Sequence, residues 1–210
     1  MHVIDLTHAI RTGMGVFPGD EPVNVRRDKF VARDGYAVTS LRMGTHTGTH
    51  LDLPAHLDAD APGLDWMGPD NFVGWGAVVD CTAVEGRPVD QADLVALSAM
   101  DGLEFALIRT GWESRWGTDV YFESYPVLSE LACRYLGGLG LKGLGLDTPS
   151  PDKNGLSLPC HRTLFAHDMV IVENLCNLAE LPPQDFLFSC LPLRIADGEG
   201  CPVRAVGMTF

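Results

Sequence analysis

Basic side chains are scarce in this 210-residue chain: 15 Lys and Arg face 28 Asp and Glu, for a formal net charge of −13. A nucleic-acid binder needs a basic footprint, so that class of partner is excluded. Charged residues of either sign make up only 20%, yet no window approaches the roughly 20 apolar residues of a membrane span. The opening Met1-His2-Val3-Ile4-Asp5 lacks the basic and apolar regions of a secretion signal, so a cytoplasmic protein is expected. Six cysteines (Cys81, Cys133, Cys160, Cys176, Cys190, Cys201) include no Cys-x-x-Cys pair. Scattered thiols of this kind fit a reducing compartment better than a disulfide framework. There is no Gly-x-Ser-x-Gly elbow, which removes the usual serine-nucleophile signature. Linkers, low-complexity tracts and internal repeats are also missing, and 46% hydrophobic residues suffice for one domain over 1–210.

Apolar runs give the expected elements. Trp75 to Cys81, Phe105 to Arg109, Leu144 to Asp147 and Met169 to Glu173 read as buried strands. Ile4 to Ile10, Tyr36 to Met43, Phe186 to Ile195 and Val203 to Met208 read as further strands. Asp90 is placed to cap a short helix carrying Leu94 and Leu97. Helical spacing runs from Pro126 to Tyr135, where Gly137-Gly138 is expected to stop it, and His161 and His167 frame another short helix. Strands and helices alternate only in the middle of the chain, so a mixed α/β domain is expected rather than a pure doubly wound one.

The densest chemistry lies in Thr45-His46-Thr47-Gly48-Thr49-His50-Leu51-Asp52-Leu53-Pro54-Ala55-His56. Imidazole and carboxylate together are the ligand set of a borderline divalent metal such as zinc or manganese. On a helix His46 and His50 would share a face while Asp52 pointed away, and Gly48 and Pro54 disfavour a helix anyway. On a strand all four residues share a face, but a straight one would set His46 and His56 roughly 33 Å apart. Convergence therefore requires a bend, which Gly48 and Pro54 permit.

This run, His46-x3-His50-x-Asp52-x-Pro54-x-His56 with Gly48-Thr49 inside it, resembles the signature of the cyclase family of metal-dependent hydrolases. Its best-known members are bacterial kynurenine formamidases, and isatin hydrolases are relatives. The resemblance extends to Phe17-Pro18-Gly19-Asp20, Asp147-Thr148-Pro149-Ser150, Asn174-Leu175-x-Asn177-Leu178, Pro192-Leu193-Arg194 and Pro202-Val203-Arg204-Ala205. It implies the family's swivelling β/β/α domain, at least a homodimer, and two divalent ions, zinc first and manganese second. It puts His46, His50 and Asp52 on one ion, with Asp52 bridging to a second ion held by His161 and Glu173. His56 is then the general acid/base, and Phe17 borders the substrate pocket. Kynurenine formamidases usually carry tryptophan at the position of Phe17, a departure that bears on substrate and not on metal chemistry.

Two such ions sharing a carboxylate bring a bound water toward neutral pKa, so that hydroxide can attack a carbonyl while His56 carries the proton to the leaving nitrogen. The expected activity is hydrolysis of a non-peptide C–N bond in a small molecule, with N-formylkynurenine as the best single substrate. Alternatives are a relative acting on a ring amide, lactone or ester, a lyase or cyclase, or a metal-binding protein without turnover. A Cys160–His161 nucleophilic pair is disfavoured, because adjacent residues of an extended segment point oppositely.

Overall fold

Hydrophobic alternation along the central strands decides the architecture. In the computed structural model, which describes residues 1–210, Phe105 and Leu107 face one buried cluster while Ala106 and Ile108 face another. Val170 and Val172 divide from Ile171 in the same way. Burial on both faces is what a parallel sheet with covered sides requires.

The strands are β1 (His2–Asp5), β2 (Asn24–Lys29), β3 (Val38–Arg42), β4 (His50–Asp52), β5 (Val73–Asp80), β6 (Phe105–Arg109), β7 (Gly143–Leu146), β8 (Val170–Glu173), β9 (Phe186–Ser189), β10 (Gly200–Pro202) and β11 (Val206–Thr209). The helices are α1 (Val31–Asp34), α2 (Gln91–Leu94), α3 (Glu130–Gly138) and α4 (Pro159–Phe165). Nine strands form one sheet in the order β1-β11-β9-β5-β6-β7-β8-β4-β10, and β2 pairs with β3 as a separate hairpin. Only β5-β6-β7-β8 run parallel; the flanking pairings are antiparallel. Residues of α2, α3 and α4 join one core cluster, covering that face. The other cluster draws Ile4 and Leu6 from one end of the chain, Leu51 from β4 and Leu53 just after it, and Val203 and Ala205 from the other end. The sheet therefore closes over its own second face. This is a single mixed α/β domain, as the alternation of elements implies.

Four local expectations change. The helix read from Pro126 begins at Glu130, because Val127 and Ser129 spend their backbone groups on Val89, with Val89 N–H to Val127 C=O at 2.9 Å and Ser129 N–H to Val89 C=O at 2.9 Å. Ser129 then caps the helix by accepting the Ala132 N–H at 3.0 Å. Gly137 does not stop α3: the His167 ring packs where its Cβ would be, 2.2 Å from the nearest ring atom, so only glycine fits. The strand from Phe186 ends at Ser189 rather than Ile195. Cys160 and His161 lie on α4 and not in an extended segment, and the Cys160 thiol points to the Leu128 carbonyl at 3.5 Å. All six cysteines are free and buried, and no helix is long and apolar enough to cross a membrane.

Candidate metal centre

The bend expected in the His46–His56 run is built by two residues. Gly48 takes φ +65°, a left-handed conformation that costs glycine nothing. After the short strand β4, Pro54 opens a single 3₁₀ turn, Pro54–His56, which swings His56 back toward its neighbours. Within β4, His50 and Asp52 project from one face while Leu51 enters the apolar core. β4 lies between β8 and β10, with His50 directly opposite Glu173 and Asp52 opposite Gly200. Register alone thus puts Glu173 beside His50, across 123 residues of chain.

His161 arrives from the first turn of α4. The outcome is two overlapping groups whose donor atoms lie within 4.8 Å of one another: His46, His50 and Asp52, and Asp52, His161 and Glu173. Asp52 belongs to both. His50 Nε2 is 3.3 Å from Asp52 Oδ1 and 3.5 Å from Glu173 Oε2. His161 Nε2 is 3.4 Å from Asp52 Oδ2 and 3.4 Å from Glu173 Oε1. His46 approaches Asp52 through Nδ1 at 2.6 Å. His56 is in neither group, but its ring lies 4.2 Å from that of His46 and 6.1 Å from that of His161.

The far nitrogens show how the imidazoles are set. His50 Nδ1–H donates to the Gly48 carbonyl at 2.9 Å, and His161 Nδ1–H donates to Asp152 Oδ2 at 2.7 Å. With Nδ1 so engaged, the neutral rings turn an Nε2 lone pair toward two carboxylates, an unfavourable arrangement unless something positive lies between. Glu173 Oε1 and His46 Nε2 are buried without a hydrogen bond. A divalent cation fits these donors in number, in element and in burial. Protons can otherwise take its place. Burial by itself would lower His46, His50 and His161, but Asp52 and Glu173, with Asp152 foremost for His161, reverse this and raise all three, His50 to about 9. Asp52 is held well below the ordinary carboxylate range by His50 and His46 despite its burial, while burial and the charge of Asp52 push Glu173 up. His56 moves the other way: burial lowers it, against the pull of Asp52.

Several participants were not read from the sequence. Asp152 accepts the backbone N–H groups of Cys160 and His161 at 2.8 and 2.9 Å as well as the His161 ring. Asn174 donates Nδ2–H to the Gly48 carbonyl at 2.9 Å while its Oδ1 accepts Tyr121 O–H at 2.8 Å. Glu199 lies 3.3 Å from His46 Nε2 and accepts Thr45 O–H at 2.5 Å. A cavity of about 170 Å³ opens onto the metal-ligand candidates and His56. Phe17, Trp116 and Phe122 line it, with Phe17 edge-on to Phe122 at 6.0 Å between centroids.

The fold and site define an α/β protein with a buried histidine–carboxylate centre at the carboxyl ends of β7 and β8, where open α/β sheets commonly carry their sites. The Cyclase family model matches residues 4–153, and the chain belongs to that family. It is 30% identical to a kynurenine formamidase from Bacillus cereus over 205 residues, covering 97% of this chain and 95% of the relative. It is also 30% identical to a kynurenine formamidase from Erythrobacter litoralis over 208 residues, covering 96% and 91%. Among solved structures, isatin hydrolase A from Labrenzia aggregata bound to benzyl benzoate superposes with a TM-score of 0.87 at 25% identity, covering 99% of this chain and 93% of that one.

Proposed function

We propose that the protein is a divalent-metal-dependent amidohydrolase that cleaves aryl formamides, with N-formylkynurenine as its substrate and formate and the free arylamine as products. The observation that carries this reading is the pair of donor groups sharing Asp52 at the base of an aromatic-lined cavity, in a chain 30% identical to two kynurenine formamidases over nearly its whole length. His46, His50 and Asp52 would hold one ion and Asp52, His161 and Glu173 a second. Zinc is the first choice and manganese the second, since both accept nitrogen and oxygen donors. When bound, such ions supply Lewis acidity at a carbonyl oxygen and acidify water in the site.

The remaining work falls to side chains. Phe17, Trp116 and Phe122 receive the aryl ring and keep bulk water from it. His56, lowered by burial, is neutral at neutral pH and can accept a proton from the attacking water on a ring nitrogen. It returns that proton to the amide nitrogen as the C–N bond breaks, so the amine leaves neutral. Asp152 and the Gly48 carbonyl hold His161 and His50 in one tautomer throughout.

Hydrolysis of a ring amide is the second reading, favoured by the superposition on isatin hydrolase A. A homodimer belongs to the same proposal: Phe30, Val31, Tyr36, Val38 and Leu41 expose apolar surface on and beside the β2–β3 hairpin, which a second copy would cover. Elemental analysis of the purified protein, paired with assays of N-formylkynurenine, isatin and simple aryl esters, tests these readings together. Full activity in a metal-free preparation would sink the metal-dependent one.

A further inference from the structure

We infer that the mouth of the cavity selects aryl formamides whose side chain ends in an ammonium group, and that Asp20 is the residue that selects them. This rests on the aryl-formamidase reading above. Eighteen residues line the cavity, and none is Lys or Arg. Its inner end holds the histidines with Asp52 and Glu173; the one other ionisable side chain on its wall is Asp20. A substrate carboxylate therefore meets no cationic side chain on this wall, whereas an ammonium group meets a carboxylate. The net charge of −13 adds a field of the same sign.

The backbone fixes Asp20 relative to the aromatic wall. The Asp20 N–H donates to the Phe17 carbonyl at 3.0 Å, closing a β-turn through Pro18 and Gly19. Gly19 has φ +105°, and proline followed by a positive-φ glycine is the type II arrangement. The first and fourth residues of such a turn lie within about 7 Å of each other at Cα. Phe17 and Asp20 occupy those positions, so a ring seated against Phe17 carries its ortho substituent toward Asp20. Neighbouring Glu21 is engaged by Arg42 at 2.6 Å, but Asp20 has no cationic partner within ion-pair distance and is exposed toward the mouth. Its charge is free for a ligand.

The test uses the metal-loaded full-length protein and four formamides. Formanilide has no tail. N-formylkynuramine has an ammonium tail, N-formylkynurenine has ammonium and carboxylate, and 4-(2-formamidophenyl)-4-oxobutanoate has carboxylate alone. Attraction of the ammonium and repulsion of the carboxylate, each a few-fold at an exposed site, multiply to roughly 10-fold in kcat/KM between the second and fourth substrates. The difference should sit in KM. In Asp20→Asn the ratio should fall toward unity, and in Asp20→Lys it should invert. Equal use of the ammonium and carboxylate substrates overturns the inference, and so does an unmoved ratio in both variants while formanilide is still cleaved. If the wild-type protein cleaves no formamide, formanilide included, the aryl-formamidase reading itself falls.

Discussion

Asp152 and His161 form a buried pair in which one carboxylate receives three donors: the His161 ring at 2.7 Å and the first backbone N–H groups of α4 at 2.8 and 2.9 Å. The same contacts that orient the imidazole also anchor the helix that carries it. Asp152→Asn keeps one acceptor oxygen and most of the shape, so the fold should persist while control of the His161 tautomer weakens. Losing such a partner typically costs 10–100-fold in metal affinity. We expect that loss in chelator competition, confined to the ion that His161 and Glu173 would hold in the proposed centre. Unchanged affinity for both ions would remove Asp152 from the site.

Gly200 faces Asp52 across the β4–β10 pairing. A Cβ there would come within 2.8 Å of His46 Cε1 and 2.9 Å of the Leu51 carbonyl oxygen. The backbone oxygen cannot yield, so the His46 ring must. Gly200→Ala should cost about 1–3 kcal/mol, as overpacking does, and in the proposed centre should first weaken the hold on the ion assigned to His46. Elemental analysis of the variant is expected to give a lower metal content than the wild type, with unfolding shifted to lower urea.

How much of this could be read in advance depended on whether the signal was local. The strand Phe105–Arg109 emerges with the bounds its apolar run predicts, because burial on both faces leaves no ambiguity of period. The α3 start was misread because helical spacing from Pro126 competes with backbone pairing to Val89, a partner 38 residues away that no periodicity displays. The first half of the site is compact in sequence and was visible as chemistry. His161 and Glu173 are unremarkable alone and entered only through a family resemblance; the β4–β8 register brings Glu173 opposite His50, and the first turn of α4 brings His161. Asp152 left one faint signal: an acid ahead of Pro159 at a helix start, where free N–H groups await an acceptor.

His56 stands within 4.2 Å of the His46 ring yet outside both donor groups. That separation predicts a split between binding and turnover. His56→Ala should keep the full complement of metal while kcat falls by roughly 10²–10⁴-fold, the usual contribution of a positioned acid/base. Loss of metal in parallel with activity would instead make His56 a ligand.

His8 lies flat against Trp116, with centroids 4.0 Å apart and planes within 5°, and its Nε2 is buried without a hydrogen bond. Burial lowers its pKa from 6.5 to about 4. The folded protein therefore binds this proton less tightly than the unfolded chain does, so stability is fully present above pH 6.5 and drains away as the pH falls toward 4. The loss attributable to His8 is about 3 kcal/mol at most. His8→Phe keeps a flat ring against Trp116 but has nothing to titrate. Urea unfolding of both proteins in chelator between pH 7.5 and 4 should show the wild type losing stability faster below pH 6.5. His46, His50, His56 and His161 titrate in both proteins, so the difference between the two curves isolates His8; parallel curves would mean that the proton on His8 is accommodated. Because Trp116 lines the cavity and His8 does not, the same variant should leave its aromatic wall in place, and KM for an aryl formamide at pH 7.5 should stay within about twofold of wild type, since a ring-for-ring swap behind the cavity lining changes little of what the substrate touches.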